Sequence, residues 1–450
     1  MAHLLNRSLH DRYPHAARAE GVHIYDESGR RYIDGSSGAG VSCLGHGNGE
    51  VLEAMRAQGE RVTFASSVFF ATDIAEALAD DLIAHAPAGM VRANFGCSGS
   101  EQVENAMKLA RQYHVDTGRP TKRLIVGRRQ SYHGMSLATL NAGGHAQRRE
   151  LYEPMFAGTY LTDPHFEYRY RRVDEDAEAY SLRAADALET TILELGPEQV
   201  AAFLCEPVVG ATTGCVPGSP AYFRRVREIC DRHDVLLIFD EIFCGMGRTG
   251  TLYACEQDGV VPDMLVLAKG LAGGYQPMSA LLINERIYTG VRDGRGYIAN
   301  GHTYMNHPVG CAAALKVQEI LRRDGLVERA RDRGHYLRRR LEATFSDHPH
   351  VGDIRGRGLM QALELVEDRG SKAPFPPSLN LWSAVMKEAL ARGLMCYPNQ
   401  GTADGQRGDH VILAPPYIVS EADCDEIVAI LADALDAVLP TAVAAARARA

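Results

Sequence analysis

The chain has 450 residues, is 46% hydrophobic and 23% charged, an ordinary soluble globular composition with room for about two or three domains, or one large α/β domain and a smaller companion. Its formal net charge of −9 argues against a nucleic acid or an anionic membrane surface as the main partner. There is no run of about eighteen apolar residues and no apolar signal-peptide core; the ten cysteines form neither a CxxC pair nor a metal-type spacing, so reduced thiols in the cytoplasm are expected.

In chain order, GVHIYDESGRRYIDGSSG (residues 21–38) reads as a hairpin. From about residue 90 to residue 285, short apolar runs alternate with amphipathic ones. The runs VRANF (91–95), RLIVG (123–127), VAAFLCEP (200–207), VLLIFD (235–240), MLVLAK (264–269) and SALLIN (279–284) predict strands. Apolar positions at three- and four-residue spacing predict helices over 100–115 and 220–234. This alternation, with strands apolar on both faces, predicts a mainly parallel sheet covered by helices on each side. Near residue 320 the character changes: charged helices over 315–345 precede shorter strands at 358–365 and 410–416. The expected division is a large domain over 61–320 and a smaller one from both chain ends, 1–60 and 321–450.

Ligands of open α/β sheets collect beyond the carboxyl ends of the strands. After the first strand come Ser98, Gly99 and Ser100, opening a helix. Free backbone N–H groups, two hydroxyls and the helix dipole suit a phosphate there, although Ser98 with Glu101 also reads as a simple capping box. Tyr132, with His133 and Gly134, follows the second strand; it could stack on a planar ligand or simply pack. Glu206 and Asp240 close two apolar strands, where a carboxylate is costly to bury unless paired; Asp240 also reads as a cap. Lys269 ends the next strand, and alone would read as a surface lysine with a buried stem.

Together these features point to one cofactor. Pyridoxal 5′-phosphate has a phosphate to anchor, a ring to stack upon, a pyridine nitrogen to keep protonated and an aldehyde that condenses with a lysine. Asp240 would serve the nitrogen and Lys269 the aldehyde, the latter needing a neutral fraction that burial favours. No P-loop or GxGxxG spacing competes in GCSGSE.

The stretch LLIFDEIFCGMGRTGTLYACEQDGVVPDMLVLAKGLAGGY (236–275) closely resembles the signature of class III aminotransferases, which are fold-type I pyridoxal-phosphate enzymes. The likeness runs from YIDGSSGAGVSCLGHGN near the start to HVILAPPYIVSEADCDEI near the end. It implies an α/β fold with a mainly parallel mixed sheet in a large domain, plus a smaller α+β domain made from both chain ends. It further implies Lys269 as the Schiff-base lysine, Asp240 as partner of the ring nitrogen, and Ser98, Gly99 and Ser100 as the phosphate cup. Tyr132 and Ile242 would flank the ring, with His133 and Glu206 also in the cofactor set. Thr303 would bind the phosphate from the neighbouring subunit, making the protein a homodimer or a dimer of dimers. In relatives using glutamate as donor, the residue matched by Glu206 pairs with a C-terminal arginine. Amine-accepting relatives carry a carboxylate-binding arginine where this chain has Gly405; Arg407 is the nearest substitute. The small Ala39 and Gly40 suggest a roomy pocket lined by Phe69 and Phe70. The implied activity is ping-pong transfer from an amine or ω-amino acid to pyruvate, 2-oxoglutarate or an aldehyde. An epimerase or racemase, a decarboxylating transaminase, and a non-catalytic cofactor-binding protein are the alternatives on this scaffold.

Overall fold

All six expected strands form in the computed structural model, which describes residues 3–448. They join the short edge strand Leu161–Thr162 in a seven-stranded sheet. Across it the order is Met90–Gly96, Ser279–Asn284, Met264–Leu267, Leu236–Asp240, Val200–Cys205, Leu124–Arg128 and Leu161–Thr162. Six strands run parallel. Ser279–Asn284 is antiparallel to both neighbours, Leu282 facing Leu265 on one side and Ala93 on the other. The short 268–278 connection explains the reversal, because a parallel return needs a crossover of about a dozen residues or more.

Both faces of the sheet are buried, as its uninterrupted apolar strands require. On one face Ala202, Leu204, Ile238, Met264 and Val266 pack against Val103, Ala106 and Leu109 of the helix Gly99–Asp116. On the other, Phe203, Leu237, Phe239 and Leu265 meet Leu188 of Ala177–Leu195 and Phe223 and Val226 of Pro220–Arg232. Each strand thus alternates its side chains between two cores.

A further core draws on both ends of the chain. The strands Ala16–Glu20, His23–Asp26 and Arg31–Asp34 form an antiparallel meander, and Leu394–Met395 adds in parallel, Leu394 opposite Ile33. An antiparallel sheet carries Val351–Arg357, Met360–Leu365, Asp409–Leu413 and Tyr397–Gln400 in that order. Ile33 and Val51 are buried with Leu337, Leu341, Leu394, Val411, Leu431 and Leu435. The helix Glu421–Arg447 is long and apolar enough to cross a bilayer by composition, but its Ile427, Leu431 and Leu435 are spent on this core. Helix Pro308–Arg323 links the cores, giving Val317 and Ile320 to this one and Cys311 and Ala314 to the large sheet.

One side chain pins the two halves near the sheet's carboxyl edge. Arg248 is buried and donates to Leu359 O (3.1 Å), Pro415 O (2.5 Å) and Ser37 Oγ (3.2 Å). Leu359 N–H returns a bond to Arg248 O at 3.0 Å. The turn before Leu359 allows no bulk: a Cβ on Gly334, in helix Leu326–Phe345, would lie 2.2 Å from the Gly358 carbonyl. Gly334→Ala is therefore expected to destabilise the protein by about 1–3 kcal/mol through overpacking, read as a lower urea midpoint; an unchanged midpoint would contradict this packing.

Candidate active site

The central parallel strands are in a register that sets Asp240 opposite Val266. Lys269 follows three positions beyond that level, at the same edge of the sheet. Its φ of 47° lies in the left-handed region, a strained conformation for a lysine that surrounding contacts must enforce. Those contacts are present. Gly273 N–H donates to Lys269 O at 3.1 Å, and buried Gln318 donates through Nε2 to Leu271 O at 2.9 Å. The ammonium Nζ sits 4.0 Å from the centroid of the Phe243 ring. Although the residue keeps some accessible surface, protein encloses its charged end, and lost hydration lowers its pKa to about 8 against the partial support of Asp240 and Glu206.

Asp240 is buried with both carboxylate oxygens engaged. Its Oδ2 lies 2.8 Å from His133 Nδ1, and its Oδ1 accepts the Ile242 N–H at 3.0 Å. His133 is also buried, and its second nitrogen, Nε2, has no protein partner. Glu206 accepts the N–H of Tyr132 at 3.3 Å and that of Gly210 at 3.2 Å. Burial pushes the Glu206 pKa up, opposed chiefly by His133.

The helix Gly99–Asp116 begins with Ser98 as its cap, the hydroxyl accepting the Glu101 N–H at 3.2 Å. The return half of the expected box goes elsewhere: Glu101 Oε1 accepts from Cys97 N–H at 3.3 Å. The amides of Gly99 and Ser100, at the start of that turn, are left for another partner. Gly99 packs so closely that a Cβ would lie 2.6 Å from Ile242 Cδ1. Ser100 Oγ accepts the Met135 N–H at 3.0 Å, beside Gly134, whose φ of 137° and tight fit exclude a side chain.

One pocket of about 400 Å³ gathers Ser98, Gly99, Ser100, Tyr132, His133, Glu206, Asp240, Ile242 and Lys269. A larger groove of about 940 Å³ lies by the sheet edge at Leu161, among Arg149, Tyr170 and Arg183, and includes none of them. The smaller pocket holds the chemistry: an anion-ready helix start, an aromatic wall, a buried carboxylate and a hydration-poor amine. This donor set fits pyridoxal 5′-phosphate, with glycines at 99 and 134 where a side chain could not stand.

Other expected residues lie elsewhere. Arg407 turns away, its Nε 2.6 Å from Asp404 Oδ2 on the same exposed loop. Phe69 and Phe70 are largely exposed, Phe70 edging a small hollow with Thr72 and Asn306. Thr303 is exposed and does not line this chain's pocket. The roomy space expected from Ala39 and Gly40 is filled: Phe243 lies against Gly40, where a Cβ would fall 2.1 Å from its ring, and Gly210 flanks its other side at 2.5 Å. Ala39 is not a lining residue. Val41, Phe243, Gln276 and Tyr397, not expected from the sequence, are among the further residues that line the pocket. Phe243 sits beside Asp240 in the signature and was within reach; Tyr397 arrives from the far end of the chain with no local mark.

The class-III aminotransferase family profile matches residues 7–435. An uncharacterized aminotransferase of Schizosaccharomyces pombe is 46% identical over 444 residues, spanning 98% of this chain and 96% of the relative. The diaminobutyrate–2-oxoglutarate transaminase of Halomonas elongata is 34% identical over 416 residues, 91% of this chain and 87% of that protein. Among solved structures, the omega transaminase of Pseudomonas jessenii in complex with PMP matches with a TM-score of 0.90 at 33% identity, over 96% of this chain and 94% of that one. By these matches over nearly its whole length, the chain belongs to the class-III aminotransferases, enzymes dependent on pyridoxal 5′-phosphate.

Proposed function

We propose that this aminotransferase takes its amino group from an amine or ω-amino acid and delivers it to a small 2-oxo acid such as pyruvate or 2-oxoglutarate. The observation that carries the site assignment is the delivery of Asp240 and Lys269 by adjacent strands into one pocket. When bound, pyridoxal 5′-phosphate supplies an electron-accepting ring and an aldehyde. In this reading Ser98, Gly99 and Ser100 hold the phosphate, and Tyr132 and Ile242 hold the two ring faces. Asp240, fixed by His133 and the Ile242 amide, faces the ring nitrogen. Lys269 moves the proton at the donor carbon, because a pKa of about 8 leaves part of its amine neutral near pH 7. Glu206 shapes the entry, held by two backbone amides rather than by an arginine.

The proposal includes a homodimer in the cytoplasm. Exposed Phe64, Val68, Phe69, Phe70 and Tyr304 support it, the Phe64 and Tyr304 rings touching at a centroid distance of 5.7 Å. The Tyr304 carbonyl lies 4.0 Å from Cys97 Sγ, a pocket residue, so this apolar surface borders the pocket mouth. A second copy covering it would bring Thr303 to the neighbouring site. All ten cysteines are free, which supports a reducing compartment. The domain division at about residues 60 and 320 belongs to the same reading.

Incubation with a panel of amines and pyruvate is expected to yield alanine and the deaminated donor in equal amounts. Lys269→Ala should lower turnover at least about a thousandfold, losing both nucleophile and proton carrier. Consumption of donor without alanine would instead indicate racemisation or decarboxylation; full turnover in the variant would refute Lys269's role.

The same lysine makes stability depend on pH. Its folded pKa lies below the unfolded value of 10.5, so between about 8 and 10.5 the unfolded chain holds more protons and rising pH favours folding. In cofactor-free protein, Lys269→Met should be more stable than wild type at pH 7, by up to about 3 kcal/mol from this effect. That advantage should fade towards pH 10.5 in urea titrations. A gap constant with pH would mean the ammonium is not desolvated.

A further inference from the structure

The charged residues lining the pocket are Glu206, Asp240 and Lys269, apart from the titratable His133. A 2-oxo acid or amino acid entering it carries a carboxylate and meets two fixed carboxylates. Lys269 is committed to the reacting carbon. Recognition of the substrate's own charge therefore needs another cation at the rim, since like charges in a desolvated site repel and an unpaired buried carboxylate is costly.

Arg407 does not supply it, being closed on Asp404. Arg149 is buried and spends its donors on Leu140 O, Asn141 O and Gly143 O. Arg148 is different. Its guanidinium carbon stands 4.6 Å from the centroid of the Tyr132 ring, the aromatic wall of the pocket. Among the described residues no carboxylate forms an ion pair with it, and no hydrogen bond engages its guanidinium, although it is only partly exposed. It rides on the short helix Ala146–Arg149, which is tied to the C-terminal loop where Gln147 Nε2 donates to Gln406 O at 3.3 Å. On that loop Gly405 faces Ala146: a Cβ there would meet Ala146 Cβ at 3.5 Å. An arginine with free donors thus stands against Tyr132, a wall residue of the pocket, beside a loop position that itself offers no side chain.

We propose that Arg148 is the specificity-determining cation that recognises the carboxylate of the 2-oxo acid or amino acid substrate above Tyr132. The guanidinium matches a carboxylate in two parallel N–H···O bonds while its face stays on the phenol ring. Arg7, whose charge also bears on Tyr132 but less than that of Arg148, is exposed on the N-terminal segment and adds only a diffuse field.

This inference rests on the transaminase reading, and its test separates the two. Pyruvate and acetaldehyde differ by the carboxylate alone, so the ratio of their kcat/KM values reports its recognition. Arg148→Ala should lower that ratio about ten- to a hundredfold, the usual effect of losing a charged hydrogen bond. The loss should fall mainly in KM for pyruvate. Arg148→Lys should recover much of it, and Arg7→Ala should shift it far less. As a readout independent of turnover, propanoate binding to the holoenzyme by calorimetry should weaken in Arg148→Ala by a similar factor. An unchanged ratio, or equal losses on both acceptors with propanoate binding intact, would overturn the proposal, the latter showing that Arg148 merely steadies Tyr132. If wild type aminates no acceptor, the transaminase reading fails, and propanoate binding alone decides whether Arg148 holds carboxylates.

Discussion

Everything in this protein turns on the register between Leu236–Asp240 and Met264–Leu267. Two parallel strands, apolar on both faces, end at one edge of the sheet and leave an acid and an amine there. Neither group is comfortable. Asp240 is settled by His133 and a backbone amide, whereas Lys269 has only the Phe243 ring and two nearby carboxylates against the loss of water. The uncompensated part appears as the lowered pKa of the lysine, a property that a structural lysine would have no reason to keep and a proton-carrying one needs. The left-handed backbone at Lys269 is held in the same way, by Gln318 and the turn that follows.

The rest of the fold steadies that edge. Helices on both faces remove the strands from water, and Arg248 fastens the loop after Asp240 to segments from both chain ends. The walls come from distant segments as well: Val41 from near the start, Tyr397 from near the end. Phe243 is gripped between Gly40 and Gly210 and is at the same time the surface against which the ammonium rests. Small residues in the N-terminal turn therefore admit the phenylalanine instead of widening the pocket.

How much of this was legible depended on how local the determinant was. Six of the sheet's strands could be read from continuous apolar runs, and the helix at Ser98 from its cap and spacing, because those signals lie within a few residues. Asp240 and Lys269 were readable because a charge ending an apolar run is visible in a single line of text. The antiparallel course of Ser279–Asn284 was not, since direction depends on the length of the preceding connection rather than on the strand itself. The outward turn of Arg407 depends on Asp404 closing upon it, and an arginine's spacing in sequence does not reveal which acid it meets. Arg148 escaped notice for the same reason. Its place above Tyr132 is set by a four-residue helix that carries no apolar period.

In the proposed mechanism Lys269, alone among the lysines, is presented as a reactive amine to the cofactor. The most direct measurement is borohydride reduction of the protein loaded with pyridoxal 5′-phosphate, followed by peptide mass mapping. A single pyridoxyl-modified peptide is expected, with the label on Lys269. A label on any other lysine, or none under conditions where the cofactor is bound, would contradict it.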